Sequence, residues 1–267
     1  MKNDIQMVKD TYNKDVQMEW ERLLRHPVEY SITCRYIDRY INPGDKVLDI
    51  GGGPGRYSLY LAEKGCEVTL FELSDVNVAF AKEHADEKGL RLKAICGDAC
   101  VADTLINERF DHILLMGPLY HLPDELDRIK AVNAALNLLK PNGLLFSAFI
   151  SSYAAMWDFL ARVPANILDT NMEAFYRLVS DDKDFSGVGF TSNHFITPKN
   201  VNIFMEQFPL EKLHFIGCES ILPLREQELL NESPDVLQKW IEFAAELCER
   251  EAFISMSHHF LHIGRKN

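Results

Sequence analysis

Short apolar runs alternate along much of this chain with longer amphipathic stretches. Runs at 47–50, 67–71, 92–96, 110–115 and 144–146 have strand length, and helical patterns at 76–87 and 125–139 separate some of them. Strands alternating with helices predict an α/β fold, a parallel sheet wrapped by helices. Residues 1 to about 43 are helical in pattern, with Val16, Trp20, Leu23 and Leu24 on one apolar face until His26-Pro27 interrupts it. After Ile150 the alternation lapses. Residues 152–187 are rich in aromatics and helix formers, which predicts a helical insertion. Thr197-Pro198 predicts a helix cap and first turn leading to about Phe208, because proline suits the first helical position. Segments 212–219 and 253–264 read as the last two strands, an antiparallel pair at the sheet edge, with a helix over 234–249 between them. There is no internal repeat or low-complexity tract.

Composition narrows the class. At 267 residues and 47% apolar content, the chain can bury a full core around one domain with an insertion. Its N-terminus, Met1-Lys2-Asn3-Asp4, has no apolar signal region, and no run approaches the ~20 apolar residues of a membrane span. A cytoplasmic protein without a membrane segment is expected. Six cysteines (Cys34, Cys66, Cys96, Cys100, Cys218, Cys248) lack paired C-x-x-C spacing and read as reduced and structural. A formal charge of −12 disfavours a phosphate-binding face, so a small-molecule substrate is expected rather than nucleic acid. Oligomeric state is not encoded in any of these features.

The richest stretch is V-L-D-I-G-G-G-P-G, Val47 to Gly55, where an apolar strand carrying Asp49 runs into a loop containing Gly51, Gly52, Gly53 and Gly55. Glycine tolerates positive φ and lets backbone amides approach a ligand, so a tight strand-to-helix turn around a nucleotide-like ligand is expected. The spacing is G-x-G-x-G. Arg56 stands where a dinucleotide loop needs its third glycine, and no Lys-Ser or Lys-Thr follows as in a P-loop. Asp49 would repel a pyrophosphate but could hydrogen-bond a cationic amino-acid group.

These residues resemble the first motif of the class I S-adenosylmethionine-dependent methyltransferases, and the resemblance continues to about residue 150. Glu72 ends the second run, where the family's carboxylate holds both ribose hydroxyls, an acceptor-only group for two O–H donors. The resemblance places Leu73 beside the adenine and makes Gly97-Asp98-Ala99 the adenine corner, with Asp98 accepting from the amine. Met116-Gly117-Pro118-Leu119-Tyr120-His121 resembles the loop after the fourth strand, where a carbonyl meets the methionine ammonium and side chains border the methyl. Leu138-Leu139-Lys140-Pro141-Asn142-Gly143 is similar to the family's turn before the fifth strand, with Asn142 replacing a glycine and also tolerating the left-handed region. D-I-G-G-G-P-G-R-Y-S and G-P-L-Y-H-L resemble generic bacterial methyltransferases. The implied fold is a Rossmann-like, doubly wound, seven-stranded, mostly parallel sheet with an antiparallel last strand. A helical N-terminal cover (1–43), the S-adenosylmethionine-binding core (44–150), a helical cap insertion (151–196) and a C-terminal completion of the sheet (197–267) make up the expected organisation.

Because a sulfonium methyl is already electrophilic, positioning does much of the work and no strong catalytic signature is required. His121 is the candidate base, with an ordinary pKa near ~6.5, or else a builder of its loop. Tyr120 is a candidate hydrogen-bond donor or aromatic wall for the methyl, or packs the loop. Tyr12 is a candidate to close over the cofactor and Arg56 to reach its carboxylate; either reads equally as a surface residue. His26, Glu29 and His194 read mainly as structural, with a substrate role as the alternative. His258 and His259 point to opposite faces of a strand and do not share a metal, so no metal site is expected. Tyr153, Trp157, Phe159, Phe175, Tyr176, Phe185 and Phe190 read as the core of the cap, or as the lining of an apolar substrate pocket. The expected activity is methyl transfer to O, N or S of a small molecule, giving S-adenosyl-L-homocysteine. The alternatives are a tRNA or protein methyltransferase, a non-catalytic cofactor-binding regulator and, more remotely, NAD chemistry.

Overall fold

In the computed structural model, residues 2–189 and 191–267 are described; Phe190 lies outside them. Three helices lead in: α1 (Lys2–Lys14), α2 (Val16–Arg25) and α3 (Pro27–Tyr40). Asp15 caps α2 by accepting from the Met18 amide at 2.9 Å, and Pro27 occupies the first turn of α3. The predicted interruption at His26-Pro27 is therefore a helix-to-helix corner. Leu23 is buried, as its face predicts, but Leu24 is 59% exposed, so the apolar stripe is narrower than its sequence suggests.

The core strands are β1 (Lys46–Ile50), β2 (Glu67–Glu72), β3 (Leu92–Cys96), β4 (Phe110–Leu115) and β5 (Leu139–Ser151), linked by α4 (Arg56–Glu63), α5 (Asp75–Glu87) and the helix Glu125–Leu138. They pair in parallel in the order β3-β2-β1-β4-β5. Alternate residues of β1 serve opposite faces. Leu48 and Ile50 pack with Phe71, Ile113 and the helix Glu125–Leu138, whereas Val47 packs with Val68, Leu114 and Ile32 and Ile37 of α3. Both faces are thus covered, which is why these strands read as nearly continuous apolar runs. At the turn into the second half of β5, Asn142 takes φ 63°, the left-handed conformation expected of it.

Beyond β5 come β6 (Phe185–Val188), β7 (Ser192–Ile196), β8 (Leu210–Gly217) and β9 (His259–Lys266), giving a nine-stranded sheet among the described residues. The expected seven are present, with β9 antiparallel between β5 and β8. The other two, β6 and β7, fall in the segment read as a helical insertion. That segment does contain helices, Ala154–Arg162 and Glu173–Ser180, but its end is a hairpin whose β7 adds in parallel to the tip of β5 at Ile150 and Ser151. All five residues of β7 are buried, so it carries no period-two signal. The expected strand over 253–264 starts later, at His259: Glu251–Ile254 is a short helix that buries Ile254. Thr197 caps the helix Pro198–Met205 through the Asn200 amide, 3.3 Å away, with Pro198 in its first turn. Among the described residues no helix is long and apolar enough to cross a membrane.

Candidate active site

Loops at the C-terminal ends of β1, β2, β3 and β4, roofed by α1 and α2, enclose about 1020 Å³ of empty space, part of it open to solvent. This is where open α/β sheets bind ligands. One wall is made by the glycine loop. Gly51 and Gly53 have φ of 70° and 56°, in the left-handed region. A Cβ on Gly52 would stand 2.3 Å from Asp49 Oδ2, and one on Gly117 would stand 2.2 Å from the Gly51 carbonyl oxygen. The loops after β1 and β4 are therefore pressed together in a way that only glycine permits.

Two buried carboxylates stand behind that wall. Asp49 is 1% exposed; its Oδ2 accepts from Ser58 Oγ at 2.7 Å, while its Oδ1 has no partner. Burial pushes the Asp49 carboxyl up to about 7. Glu72 accepts from the Gly53 amide at 3.0 Å and the Ser74 amide at 2.8 Å, with Asn77 Nδ2 3.5 Å away, and burial raises its pKa as well. Leu73, Asp98, Ala99 and Met116 complete this side. The Asp98 carboxylate also accepts from the Cys100 amide at 2.9 Å, capping a short turn.

The opposite side is aromatic and charged. His121, buried in the loop after β4, receives the Tyr12 hydroxyl at Nε2, 2.7 Å away, and meets the Ser192 carbonyl oxygen at Nδ1, 3.3 Å away. A carbonyl only accepts, so Nδ1 carries the proton, Nε2 is bare, and Tyr12 is the donor. Burial lowers the His121 pKa to about 4, which keeps the ring neutral at physiological pH. The Tyr12 and Tyr120 rings meet the imidazole edge-on at 5.3 and 4.7 Å. Nearby, Arg22 grips Glu29 with both terminal nitrogens, at 2.7 and 3.2 Å, and reaches Glu19 through Nε at 3.2 Å. Burial works to raise the Glu29 carboxyl, but Arg22 and His259 outweigh it and hold it at about 2. His259 Nδ1 lies 2.5 Å from Glu219 Oε1 and 3.6 Å from Glu29 Oε2. Glu29 thus sits between the Arg22 guanidinium and the His259 imidazole, and Glu29 and Glu219 together raise the imidazole's affinity for a proton against the cost of burial.

The cavity collects nearly all the residues singled out in the sequence: Tyr12, Asp49, Gly51, Gly52, Gly53, Arg56, Glu72, Leu73, Asp98, Ala99, Met116, Tyr120 and His121 all line it. Gly55 does not; at φ 86° it starts α4, and a Cβ there would press on Ala81 at 3.0 Å. Arg56 lays its guanidinium over Trp20 at 4.3 Å, and its buried Nε has no partner. Sequence reasoning missed Glu19, Arg22 and Asn77. Asn77 had a local signal, the cap Ser74-x-x-Asn77 directly after Glu72, whereas Glu19 and Arg22 are brought in only by tertiary packing.

The remaining candidates lie elsewhere. His26 pairs with Glu226 at 2.9 Å, Glu29 with Arg22, and His194 with Ser186 Oγ at 2.8 Å. In the insertion, Phe159 packs on Phe175, Phe175 on Tyr176, and Phe185 on Phe195; none of these rings, nor Tyr153 or Trp157, lines the cavity.

Residues 47–143 match the family model described as "Methyltransferase domain". Over 121 residues the chain is 36% identical to a ubiquinone biosynthesis O-methyltransferase of Coxiella burnetii, an alignment covering 45% of this chain and 50% of that protein, so the chain spans about half the length of the curated relatives it matches. The magnesium protoporphyrin IX methyltransferase of Synechocystis PCC 6803, solved with bound S-adenosylhomocysteine, superimposes with a TM-score of 0.59 at 12% identity, covering 99% of this chain and 100% of that one. A SAM-dependent methyltransferase from Methanosarcina mazei gives 0.55 at 18% identity, over 86% and 96%. The chain has the fold of the class I S-adenosylmethionine-dependent methyltransferases.

Proposed function

We propose that the protein transfers a methyl group from S-adenosylmethionine to a small molecule. The observation that carries this reading is the partnerless buried oxygen of Asp49, set in the same cavity as Glu72 and His121. A buried carboxylate oxygen left unpaired is costly, and a cationic donor arriving with a ligand would relieve it. The residues present fit the cofactor. Asp49 would serve its ammonium side, and Glu72 its ribose hydroxyls, since a carboxylate has about four acceptor sites and neighbouring donors occupy only some of them. Asp98 would serve the adenine amine and Leu73 and Ala99 its ring, with Arg56 meeting the carboxylate. When bound, S-adenosylmethionine supplies an electrophilic methyl on a sulfur that departs as a neutral thioether.

The chain's own contribution is binding, orientation and proton management. Tyr120 and Met116 line the cavity. His121, neutral and carrying no proton at Nε2, takes the proton of an acceptor whose oxygen or nitrogen becomes the nucleophile. The net charge of −12 and a cavity roofed by α1 and α2 favour a small acceptor over tRNA or protein. Calorimetric titration with S-adenosylhomocysteine and, separately, with NADH tests this reading. Micromolar binding of the first alone is expected; binding of neither, or of NADH alone, would overturn it.

A further inference from the structure

The Tyr12–His121 contact has the form of an enzyme–acceptor contact made by the protein with itself. His121 Nε2 offers a single lone pair, so it serves one hydroxyl at a time. That lone pair is taken by a phenol, at 2.7 Å, whose ring stands 76° to the imidazole inside the proposed catalytic cavity. The segment carrying this phenol is lightly held. Among the described residues of α1, Val8 alone is buried, and the rest of its attachment includes Lys9 on Asp75 at 2.7 Å, Asn13 on Ser74 at 2.5 Å, Thr11 on Thr191 at 3.4 Å and Asp4 on Ser192 at 3.3 Å. Helices with so few buried contacts open locally at low cost.

We propose that the acceptor is a phenol and that Tyr12 holds its place: when α1 lifts, the acceptor hydroxyl takes over the bond to His121 Nε2 that Tyr12 makes in the closed form. This rests on the methyl-transfer reading above and narrows it from O, N or S to an aromatic hydroxyl. A carboxylate acceptor has no proton to give Nε2, and an ammonium would enter beside the Arg22 guanidinium; a neutral O–H on a flat ring meets neither objection. In the reaction the acceptor O–H bond would break, its proton passing to His121 Nε2, while the oxygen electron pair forms the new O–C bond to the methyl whose C–S bond breaks, the sulfur keeping that electron pair as a neutral thioether.

The probe is p-cresol, the tyrosine side chain as a free molecule, with toluene as its hydroxyl-free control. Tyr12→Ala, saturated with S-adenosylhomocysteine, is expected to bind p-cresol at least tenfold more tightly than toluene, and His121→Leu in the same background is expected to abolish that preference. Equal binding of the two, or none of p-cresol by a variant that still holds S-adenosylhomocysteine, would overturn the proposal. A variant that loses S-adenosylhomocysteine is replaced by the wild type: amide exchange over 2–14 is expected to speed up at least tenfold with p-cresol and not with toluene, and unchanged exchange would overturn the proposal. Failure of wild-type protein to bind S-adenosylhomocysteine at all would instead strike the methyl-transfer reading.

Discussion

The glycine loop 51–55 and helix α1 face one another across the same cavity but are held in opposite ways. The loop is fixed by backbone: Gly51 N donates to the Phe71 carbonyl at 2.7 Å, Gly53 N to Glu72, and there is no room for a Cβ on Gly52 or Gly117. Helix α1 rests on side-chain tips and one buried valine. The first arrangement suits a ligand whose shape never changes, as a cofactor's does not. The second suits an acceptor that must enter and leave. Between them, α2 belongs with the rigid side although it lies in the cover, because Arg22 ties it to Glu29.

That division is broken most severely at Arg22. Arg22→Ala leaves the buried Glu29 and Glu219 sharing the His259 imidazole, and is expected to cost about 2–3 kcal/mol, the low end for a paired buried charge because part of the guanidinium is exposed. Chemical denaturation measures this, and a loss below 0.5 kcal/mol (about a twofold change in equilibrium) would move α2 to the loosely held side. Gly52→Ala drives a methyl into Asp49 and Leu70; about 1–3 kcal/mol of destabilisation is expected, together with at least a tenfold loss of S-adenosylhomocysteine affinity. Wild-type affinity in that variant would show that the loop yields.

A change of pH sharpens the contrast without mutation. With its pKa raised to about 7, the Asp49 carboxyl is mostly protonated at pH 6 and mostly ionised at pH 8, so affinity for a cationic ligand is expected to rise severalfold between them. Asp49→Asn should bind more weakly and without that slope. The linked stability runs the other way. The folded state holds a proton on Asp49 that the unfolded chain has released above its ordinary 3.8, so this group's contribution declines as pH rises from about 4 to 7. Smallest is Tyr12→Phe, which removes one hydrogen bond at the loosely held helix: about 0.5–1.5 kcal/mol is expected, seen as faster amide exchange in 2–14 with the midpoint of global unfolding nearly unmoved.

Legibility in the sequence follows the same division. Asp49, Glu72 and Asp98 could be read because each sits beside its own strand end, so local order fixes spatial place. Tyr12 and His121 were both candidates, but nothing along the chain tied residue 12 to residue 121. Glu19 and Arg22 were passed over because on a helix they resemble any solvated pair, and only the docking of α2 onto the glycine loop makes them line a cavity. β6 and β7 escaped because β7 is buried on every side, which erases alternation. The aromatic-rich stretch before them also carries the helices that dominated its pattern.

The placement of β9 bears on how the chain is made. Residues 144–150 of β5 pair with 259–265 of β9, more than a hundred positions later in synthesis. A ribosome delivers the whole glycine loop, Asp49, Glu72 and His121 long before that partner emerges. During that interval the nascent sheet presents the apolar flank of β5 as an unpaired edge, a template for pairing with other chains. The late arrival of 259–266 therefore acts as a closing step for the domain, and shortening the chain within those residues is expected to lower soluble yield.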